Sequence, residues 1–248
     1  DLGSGGGGGG FGGAGGGAVQ LTAPDITIRG AILAGAGNDP GGREVTVSGP
    51  PEYPGHGGSG GSIFLSGARV TVSGELSARG GDSGIDLTAK HGGGGGRIAL
   101  VATESLVVTG TLYVGPGLRR GTLGSNGSPG TIFRSDPVNG PMLLIHDPVG
   151  DVANPVLGSS RTGVAVGGPD LHIVVSGKAN LLLYDALEAA SLTLGAGTVV
   201  KHNLTTKTAE ALGLVMTVGD LVVSAGALID VTGRGYLART SYGNAEGA

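Results

Sequence analysis

Hydrophobic and polar residues alternate along this chain over short segments, a period of two that is typical of β-strands. Several segments share one longer pattern: a short strand, a second short strand, a single glycine and a third strand. The complete copies are residues 18–35, 62–78 and 97–115, and a fourth copy begins at residue 127. The pattern predicts an all-β fold built from repeated units.

A single glycine separates the second and third strands of each complete copy: Gly30, Gly74 and Gly110. Glycine adopts backbone conformations that are closed to other residues, so we expect the chain to turn a corner there. Three short strands joined by such corners form one turn of a right-handed parallel β-helix, whose stacked turns bury a continuous apolar column. We therefore predict this solenoid fold.

The second half of the chain lacks long glycine runs but keeps the strand pattern. Its strand candidates are residues 142–146, 163–166, 171–176, 179–184, 191–194, 198–202, 212–218, 220–224 and 227–231. Residues 184–194 could also be helical, and we favour a strand. The predicted division is residues 1–135 as Gly-rich solenoid repeats, 136–236 as a continuing solenoid with short turns, and 237–248 as a tail. A small β-sandwich is the alternative for 136–236.

Glycine dominates the composition, with 56 of 248 residues, against a usual share of about 7%. Hydrophobic residues still make up 39% and charged residues only 14%, the reverse of a disordered chain. The runs at residues 5–10 and 92–96 lack the every-third spacing of collagen. Because a glycine run precedes each copy, we expect these returns to lie side by side as an ordered, polyglycine-II-like layer, with loose loops as the alternative. Disorder is the default expectation only for residues 1–10 and after 236.

Charge and residue usage exclude several classes of function. The chain has no cysteine, which removes disulfides and thiolate catalysis. A net charge of −4 and 3% aromatic residues give no electrostatic or stacking surface for nucleic acid. No apolar run approaches the length of a transmembrane helix. We therefore predict neither a nucleic-acid partner nor a membrane span.

Few residues suggest chemistry. Residues 57–61 match the G-x-S-x-G nucleophile motif, but that motif needs a strand-to-helix turn in an α/β fold. Residues 34–39 approach the calcium-binding nonapeptide, which occurs only once here, so we interpret them as a turn. No histidine pair has metal-ligand spacing among His56, His91, His146, His172 and His202. His56 and His91 occupy matching repeat positions, and we expect them to be neighbours.

Other polar groups give weaker hypotheses. Four acidic residues could supply the carboxylate pair of glycoside chemistry, although no spacing selects a pair: Asp147, Asp151, Asp185 and Glu188. Four threonines could form outward ladders like those of ice-binding solenoids: Thr27, Thr71, Thr109 and Thr111. Asn126 and Asn203 lie in glycosylation sequons. We predict no catalytic, cofactor-binding or metal-binding residue.

The repeated phrase of a Gly-rich run, Ser or Arg, Ile-x-Leu, a strand, one glycine and another strand resembles a known module. It is the Gly-rich parallel β-helix repeat of large bacterial exported and surface proteins, which are adhesin- or fibre-like. The resemblance covers most of residues 10–135 and 220–236 and is carried by residues 60–63, 95–100, 127–132 and 229–236. It implies an extracellular or cell-surface location and a structural role.

The two ends of the chain suggest how that role is performed. The chain opens within a Gly-rich return and closes just after a strand followed by Gly-Arg-Gly-Tyr. We interpret this either as one period of a longer array or as a subunit whose ends stack. Open strand edges invite pairing, and a head-to-tail contact that does not close makes a filament.

We therefore predict a structural, non-catalytic component of an extracellular bacterial filament, sheath or adhesin stalk that self-associates into a homopolymer. The alternative is a carbohydrate-binding or polysaccharide-degrading β-helix, with a cell-surface polysaccharide as its partner. An enzyme would need a groove with clustered carboxylates and basic residues, whereas a fibre needs exposed ends.

Overall fold

A computed structural model describes residues 12–38, 55–84, 90–120, 124–148, 161–164, 168–183, 186–202 and 214–233. Every regular element in these ranges is a β-strand. The described ranges contain no helix that could cross a membrane. The strands are β1 Ala18–Thr22, β2 Asp25–Ile28, β3 Ala31–Leu33, β4 Ser62–Val72, β5 Glu75–Ser77, β6 Arg97–Val108, β7 Thr111–Tyr113, β8 Thr131–Asp136, β9 Gly140–Asp147, β10 Arg161–Val164, β11 Gly168–Gly177, β12 Asn180–Leu183, β13 Leu187–Leu194, β14 Val199–His202, β15 Met216–Val223 and β16 Leu228–Ile229.

The described strands form three sheets in which parallel pairing dominates. The largest has the order β1-β4-β6-β8-β9-β11-β13-β15, with β2 also paired to β4. The smaller sheets have the orders β3-β5-β7 and β10-β12-β14-β16. One pair, β8 with β9, is antiparallel, and the other described pairs are parallel. The predicted all-β class is confirmed, and β13 confirms a strand where the sequence also allowed a helix.

The repeated sequence copies lie in register with one another. Val19, Ile63, Ile98 and Ile132 pair in succession, so one β-branched residue from each copy stands above the last. Leu65 pairs with Leu100 in the same way, and both are fully buried. Residues of one sequence pattern therefore form a column because the strands stack at a fixed spacing.

Two separate apolar cores form on opposite faces of the large sheet. We name them the N-terminal core, which includes Leu65 and Leu100, and the C-terminal core, which includes Ile145 and Leu192. Within β8, Ile132 packs against the N-terminal core, whereas its neighbour Phe133 packs against the C-terminal core. Because neighbouring side chains of a strand point to opposite faces, the core changes face at this strand.

The chain reverses its direction at the same place. The turn between β8 and β9 brings Asp136 opposite Gly140, whose φ is 67°. Asp136 Oδ1 accepts hydrogen bonds from the backbone N–H groups of Val138 (2.9 Å) and Asn139 (3.0 Å), which stabilise the turn. The predicted boundary after residue 135 falls at the end of β8, just before this turn, and the division itself stays a prediction. Beyond it, β9, β11, β13 and β15 pair in parallel, unlike the antiparallel strands of a sandwich.

The corner glycines of the N-terminal copies act differently from the sequence prediction. Gly30, Gly74 and Gly110 do not have positive φ angles. A Cβ at Gly74 would overlap the carbonyl oxygen of Gly30, and a Cβ at Gly110 would overlap that of Gly74. The prediction of a special backbone conformation was therefore wrong. The close approach of the preceding unit explains Gly74 and Gly110, whereas a Cβ at Gly30 would meet no atom within 4 Å.

Candidate assembly surfaces

The glycine-rich segments of the N-terminal half lie against one another. We call them together the glycine layer. Its leading segments, which precede β1, β4, β6 and β8, are residues 12–17, 55–61, 90–96 and 124–130. Its trailing segments, which follow β3, β5 and β7, are residues 34–38, 78–84 and 114–120. The first glycine run, residues 5–10, lies outside the described residues.

Backbone hydrogen bonds connect these segments in more than one direction. Along the leading segments, the N–H of Gly57 donates to the carbonyl of His91 (3.0 Å). Along the trailing segments, the N–H of Gly80 donates to the carbonyl of Gly115 (3.1 Å). A third set of hydrogen bonds links leading and trailing segments in alternation. In each pair the N–H of the first residue donates to the carbonyl of the second: Gly37 to Ala14, Gly58 to Gly37, Gly81 to Gly58, Gly93 to Gly81, Gly117 to Gly93 and Gly127 to Gly117. The prediction that the returns lie side by side is confirmed for these segments.

The space around the layer explains why glycine is needed. A Cβ at Gly93 would overlap the carbonyl oxygen of Gly58, and most other glycines of the leading segments meet a neighbouring backbone in the same way. Gly94 is different, because its nearest such atom would be the Ser128 oxygen at 3.8 Å. Positions with room for a side chain recur at every third residue of the leading segments. In the segment before β4, one of them is occupied by Ser59.

Polar side chains form short ladders where equivalent positions of successive units meet. The rings of His56 and His91 stack, with centroids 5.2 Å apart and planes 23° apart, which confirms that these histidines are neighbours. The backbone N–H of His91 donates to His56 Nδ1 at 3.0 Å, and His91 Nδ1 lies 2.8 Å from Ser125 Oγ. This column links three successive leading segments.

A second ladder surrounds the buried carboxylate of Asp82. Its side chain is 2% exposed, and it forms ion pairs with Arg79 and Arg120. The backbone N–H of Leu118 donates to Asp82 Oδ1 at 2.9 Å. Burial acts to raise the pKa of Asp82, but the Leu118 hydrogen bond and the two guanidinium groups outweigh it, so the pKa is lowered. The carboxylate thus joins two successive trailing segments while it stays charged.

A third ladder is fully solvated. Arg69 lies between Asp25 and Glu104, with nitrogen–oxygen distances of 2.6 Å and 2.7 Å, and all three side chains are more than half exposed. Hydrogen bonding to Asp25 is the largest cause that raises the pKa of Arg69. Exposed pairs of this kind contribute little stability because water and salt screen them.

The residues that the sequence suggested for chemistry do not assemble into a site. Asp147 is buried at the end of β9, whereas Glu188 is exposed near the start of β13, and Asp151 and Asp185 lie outside the described residues. His146 and His172 each lie beside a serine hydroxyl. Among the described residues, no group of three His, Cys, Asp or Glu side chains could hold a metal ion.

The other suggested motifs have structural positions. Residues 57–61 belong to the glycine layer and lead into β4, so no strand-to-helix turn follows them. Within residues 34–39, Asn38 Oδ1 accepts a hydrogen bond from the Asp82 backbone, and residue 39 is outside the described ranges. Asn126 Oδ1 accepts a hydrogen bond from the Arg119 backbone, and Asn203 is outside the described ranges.

The threonine ladder that the sequence suggested ends after two threonines. Thr27 pairs with Thr71, but Thr71 pairs next with Val107. Thr111 stands beside Glu75 rather than another threonine. A flat threonine array is therefore absent from these described strands.

The strands at the two ends of the sheets expose apolar side chains. At the C-terminal end, β15 and β16 each pair on one side only among the described strands, and Val222 is 50% exposed. At the N-terminal end, β1 and β3 likewise have one described partner each, and Leu33 is 67% exposed. Large exposed hydrophobic residues at these ends are Leu21, Leu33, Val215, Leu221, Val222, Val223, Leu228 and Val231. Each end thus combines apolar surface with strands that have a partner on one side only among the described residues.

No protein-family model matches the sequence, and no curated protein or solved structure shows significant similarity to the chain.

Proposed function

We propose that this chain is a structural, non-catalytic component of an extracellular bacterial filament, sheath or adhesin stalk, and that it assembles by end-to-end pairing of its edge strands. The observation that carries this proposal is the concentration of exposed apolar residues on β1, β3, β15 and β16, four of the strands that end the described sheets. Unpaired edges of this kind are templates for pairing with another chain.

We further propose that each half of the chain is a right-handed parallel β-helix. Parallel strands from successive units, joined in register into sheets with an internal core, support this architecture. The period of three in the glycine layer supports polyglycine-II-like packing, because a polyproline-II helix has three residues per turn. One residue in three then faces outward, as Ser59 and Gly94 do, while the other two face neighbouring backbone.

The direction of the strands restricts how two copies can join. The antiparallel pair β8–β9 separates the two halves, so β15 runs opposite to β1 in the large sheet. If the next copy were related by translation alone, β15 of one copy would meet β1 of the next in the antiparallel sense. The C-terminal core of the first copy would then lie on the opposite face of the sheet from the N-terminal core of the next. A rotation of about half a turn about the stacking axis makes the pairing parallel and aligns the two cores. We propose this rotated arrangement for the polymer.

Sedimentation velocity and electron microscopy of the purified protein test the proposal. We expect association that grows with concentration and elongated particles. Leu221→Lys places a charge at the exposed end of the C-terminal core, beside the buried Leu192, and should abolish association. Val138→Lys is the matched control: Val138 is 86% exposed but lies in the β8–β9 turn, so this variant should associate normally. A wild-type protein that remains monomeric at all concentrations would contradict the proposal, as would equal effects of the two variants.

A further inference from the structure

A pocket lies where the N-terminal core ends, beside the turn at which the chain reverses. Strand β6 has 12 residues, but β8, which covers it, has 6 and pairs only with its first half. The second half of β6 is therefore uncovered among the described strands. The resulting pocket has a volume of about 260 Å³ and is lined by Leu106, Val108, Arg134, Asp136, Asn139, Gly140 and Met142.

One charged residue interrupts an otherwise apolar column at this pocket. Leu21, Leu65 and Leu100 pair in succession, and the next position is Arg134. Arg134 Nε is buried and has no hydrogen-bond partner in the part of the chain that the structure describes. A buried donor without a partner costs about 1–3 kcal/mol, and more where it carries charge. An arginine therefore stands where a leucine would continue the core.

The carboxylate among the residues that line the pocket does not satisfy this guanidinium. Asp136 also lines the pocket, but its oxygens accept hydrogen bonds from the backbone of Val138 and from the backbone and side chain of Asn139. The side-chain amide of Asn139 is the largest cause of the lowered pKa of Asp136. Arg134 forms no ion pair with any described residue. Burial lowers the pKa of Arg134, although a guanidinium remains charged at neutral pH.

We propose that this pocket binds a small organic carboxylate, with its oxygens on the Arg134 guanidinium and its apolar part against Leu106, Val108 and Met142. The planar fork of a guanidinium matches a carboxylate geometrically, and the partly buried position strengthens the interaction. The volume is below the range of about 300–1,000 Å³ that drug-sized ligands occupy, so the ligand is small. The negative charge of Asp136 disfavours a doubly charged phosphate. The site is independent of the end strands proposed for assembly.

Titration of ¹⁵N-labelled protein with sodium butyrate, followed by NMR of the arginine Nε–H groups, tests this site. We expect a saturable shift of the Arg134 Nε–H signal, which is assigned by its loss in Arg134→Gln. Binding followed through the backbone amides of β6 should weaken at least about 10-fold in that variant, as expected for a hydrogen bond to a charged group. Butyramide, which has the same shape without the charge, should not bind.

Two further variants keep the test decisive. Arg134→Lys retains a charge and a long side chain but lacks the fork, so it should fold and bind butyrate more weakly than the wild type. Lys178→Gln removes one positive charge at an exposed turn elsewhere and should bind as the wild type does. The proposal would be overturned by the absence of saturable binding, by equal binding of butyramide, or by undiminished binding in both Arg134 variants.

Discussion

The N-terminal and C-terminal regions both use glycine where the chain passes between strands, but for different physical reasons. In the N-terminal region, Gly74 and Gly110 leave no room for a side chain and do not have positive φ. In the C-terminal region, Gly197 and Gly226 have φ of 82°, and a Cβ at Gly226 would meet no atom closer than 3.9 Å. Gly74 and Gly110 are needed for their missing side-chain volume, and Gly226 is needed for its conformational freedom. Gly177 combines the two reasons, because its φ is 71° and a Cβ there would overlap the carbonyl oxygen of Asp147.

This difference shows that a high glycine content can support order. In the glycine layer, two backbones approach closely enough to exchange hydrogen bonds, such as that from Gly81 to Gly58 at 2.8 Å. Ordering glycine costs more conformational entropy than ordering other residues. The layer therefore depends on many mutually supporting hydrogen bonds. The shorter C-terminal turns are joined by fewer, such as that from Gly197 to Gly226 at 3.0 Å.

Addition of one methyl group to the glycine layer should have the largest effect, and it tests whether the N-terminal glycines are needed for their missing volume. Gly93→Ala places a Cβ against the carbonyl oxygen of Gly58, and we expect a loss of at least about 3 kcal/mol in the free energy of unfolding. Gly94→Ala is the matched control, because its Cβ has space; it should be neutral or stabilising by up to about 1 kcal/mol. Urea unfolding followed by circular dichroism measures both. Equal stabilities of the two variants would contradict the packed layer.

Removal of buried side chains tests whether the two cores are separate. Leu100→Ala in the N-terminal core and Leu192→Ala in the C-terminal core should each cost about 2–5 kcal/mol, because both leucines are fully buried. Hydrogen exchange with mass spectrometry should show that Leu100→Ala weakens protection in β4 and β6 but not in β11 and β13. Equal loss of protection in both regions would show a single cooperative unit instead.

The buried carboxylate of the trailing segments predicts a pH dependence. Because the folded-state pKa of Asp82 is below its unfolded value, its contribution is complete above about pH 4 and is lost as the pH falls through the folded-state pKa. Asp82→Asn should cost about 1–3 kcal/mol at pH 7. The difference from the wild type should shrink in more acidic solution.

Urea unfolding at a series of pH values measures this difference. Asp25→Asn, which alters the exposed Arg69 ladder, is the control and should leave the unfolding midpoint unchanged at every pH. A penalty for Asp82→Asn that is the same at pH 3 and pH 7 would contradict the role of the charged carboxylate.

The smallest expected effect comes from a C-terminal turn. Gly226→Ala should cost about 1–2 kcal/mol, because alanine is strained at a φ of 82° although space is available. Gly226→Asn should cost less, since asparagine tolerates the left-handed conformation. Thermal unfolding ranks the two variants, and an alanine variant more stable than the asparagine variant would argue against a conformational role.

Much of the strand pattern could be predicted because spacing alone determines it. The residues around Ile63 and those around Ile98 follow the same spacing, and the structure pairs Ile63 with Ile98. The reason for the corner glycines could not be predicted, because the sequence does not distinguish a missing side chain from an unusual φ. That distinction depends on how closely the next unit approaches, which is a tertiary property.

The reversal at β8–β9 had a signal in the sequence that the repeat pattern obscured. Asn139-Gly140 between two apolar segments is a strong hairpin signal, and the structure places a hairpin there. Nothing in the sequence distinguishes Arg134, because one charged residue in a short strand is ordinary until the register shows leucines at the preceding levels. The stacking of His56 on His91 could be predicted, because it follows from their matching repeat positions.

Hydrogen exchange of single glycine amides, measured by NMR, tests the glycine layer most directly. The N–H groups of Gly92, Gly93, Gly95 and Gly96 each donate a backbone hydrogen bond, whereas that of Gly94 donates none to a described residue. The account predicts slow exchange at residues 92, 93, 95 and 96 and fast exchange at residue 94. Fast exchange at all five positions would contradict an ordered layer and leave these segments as loose loops.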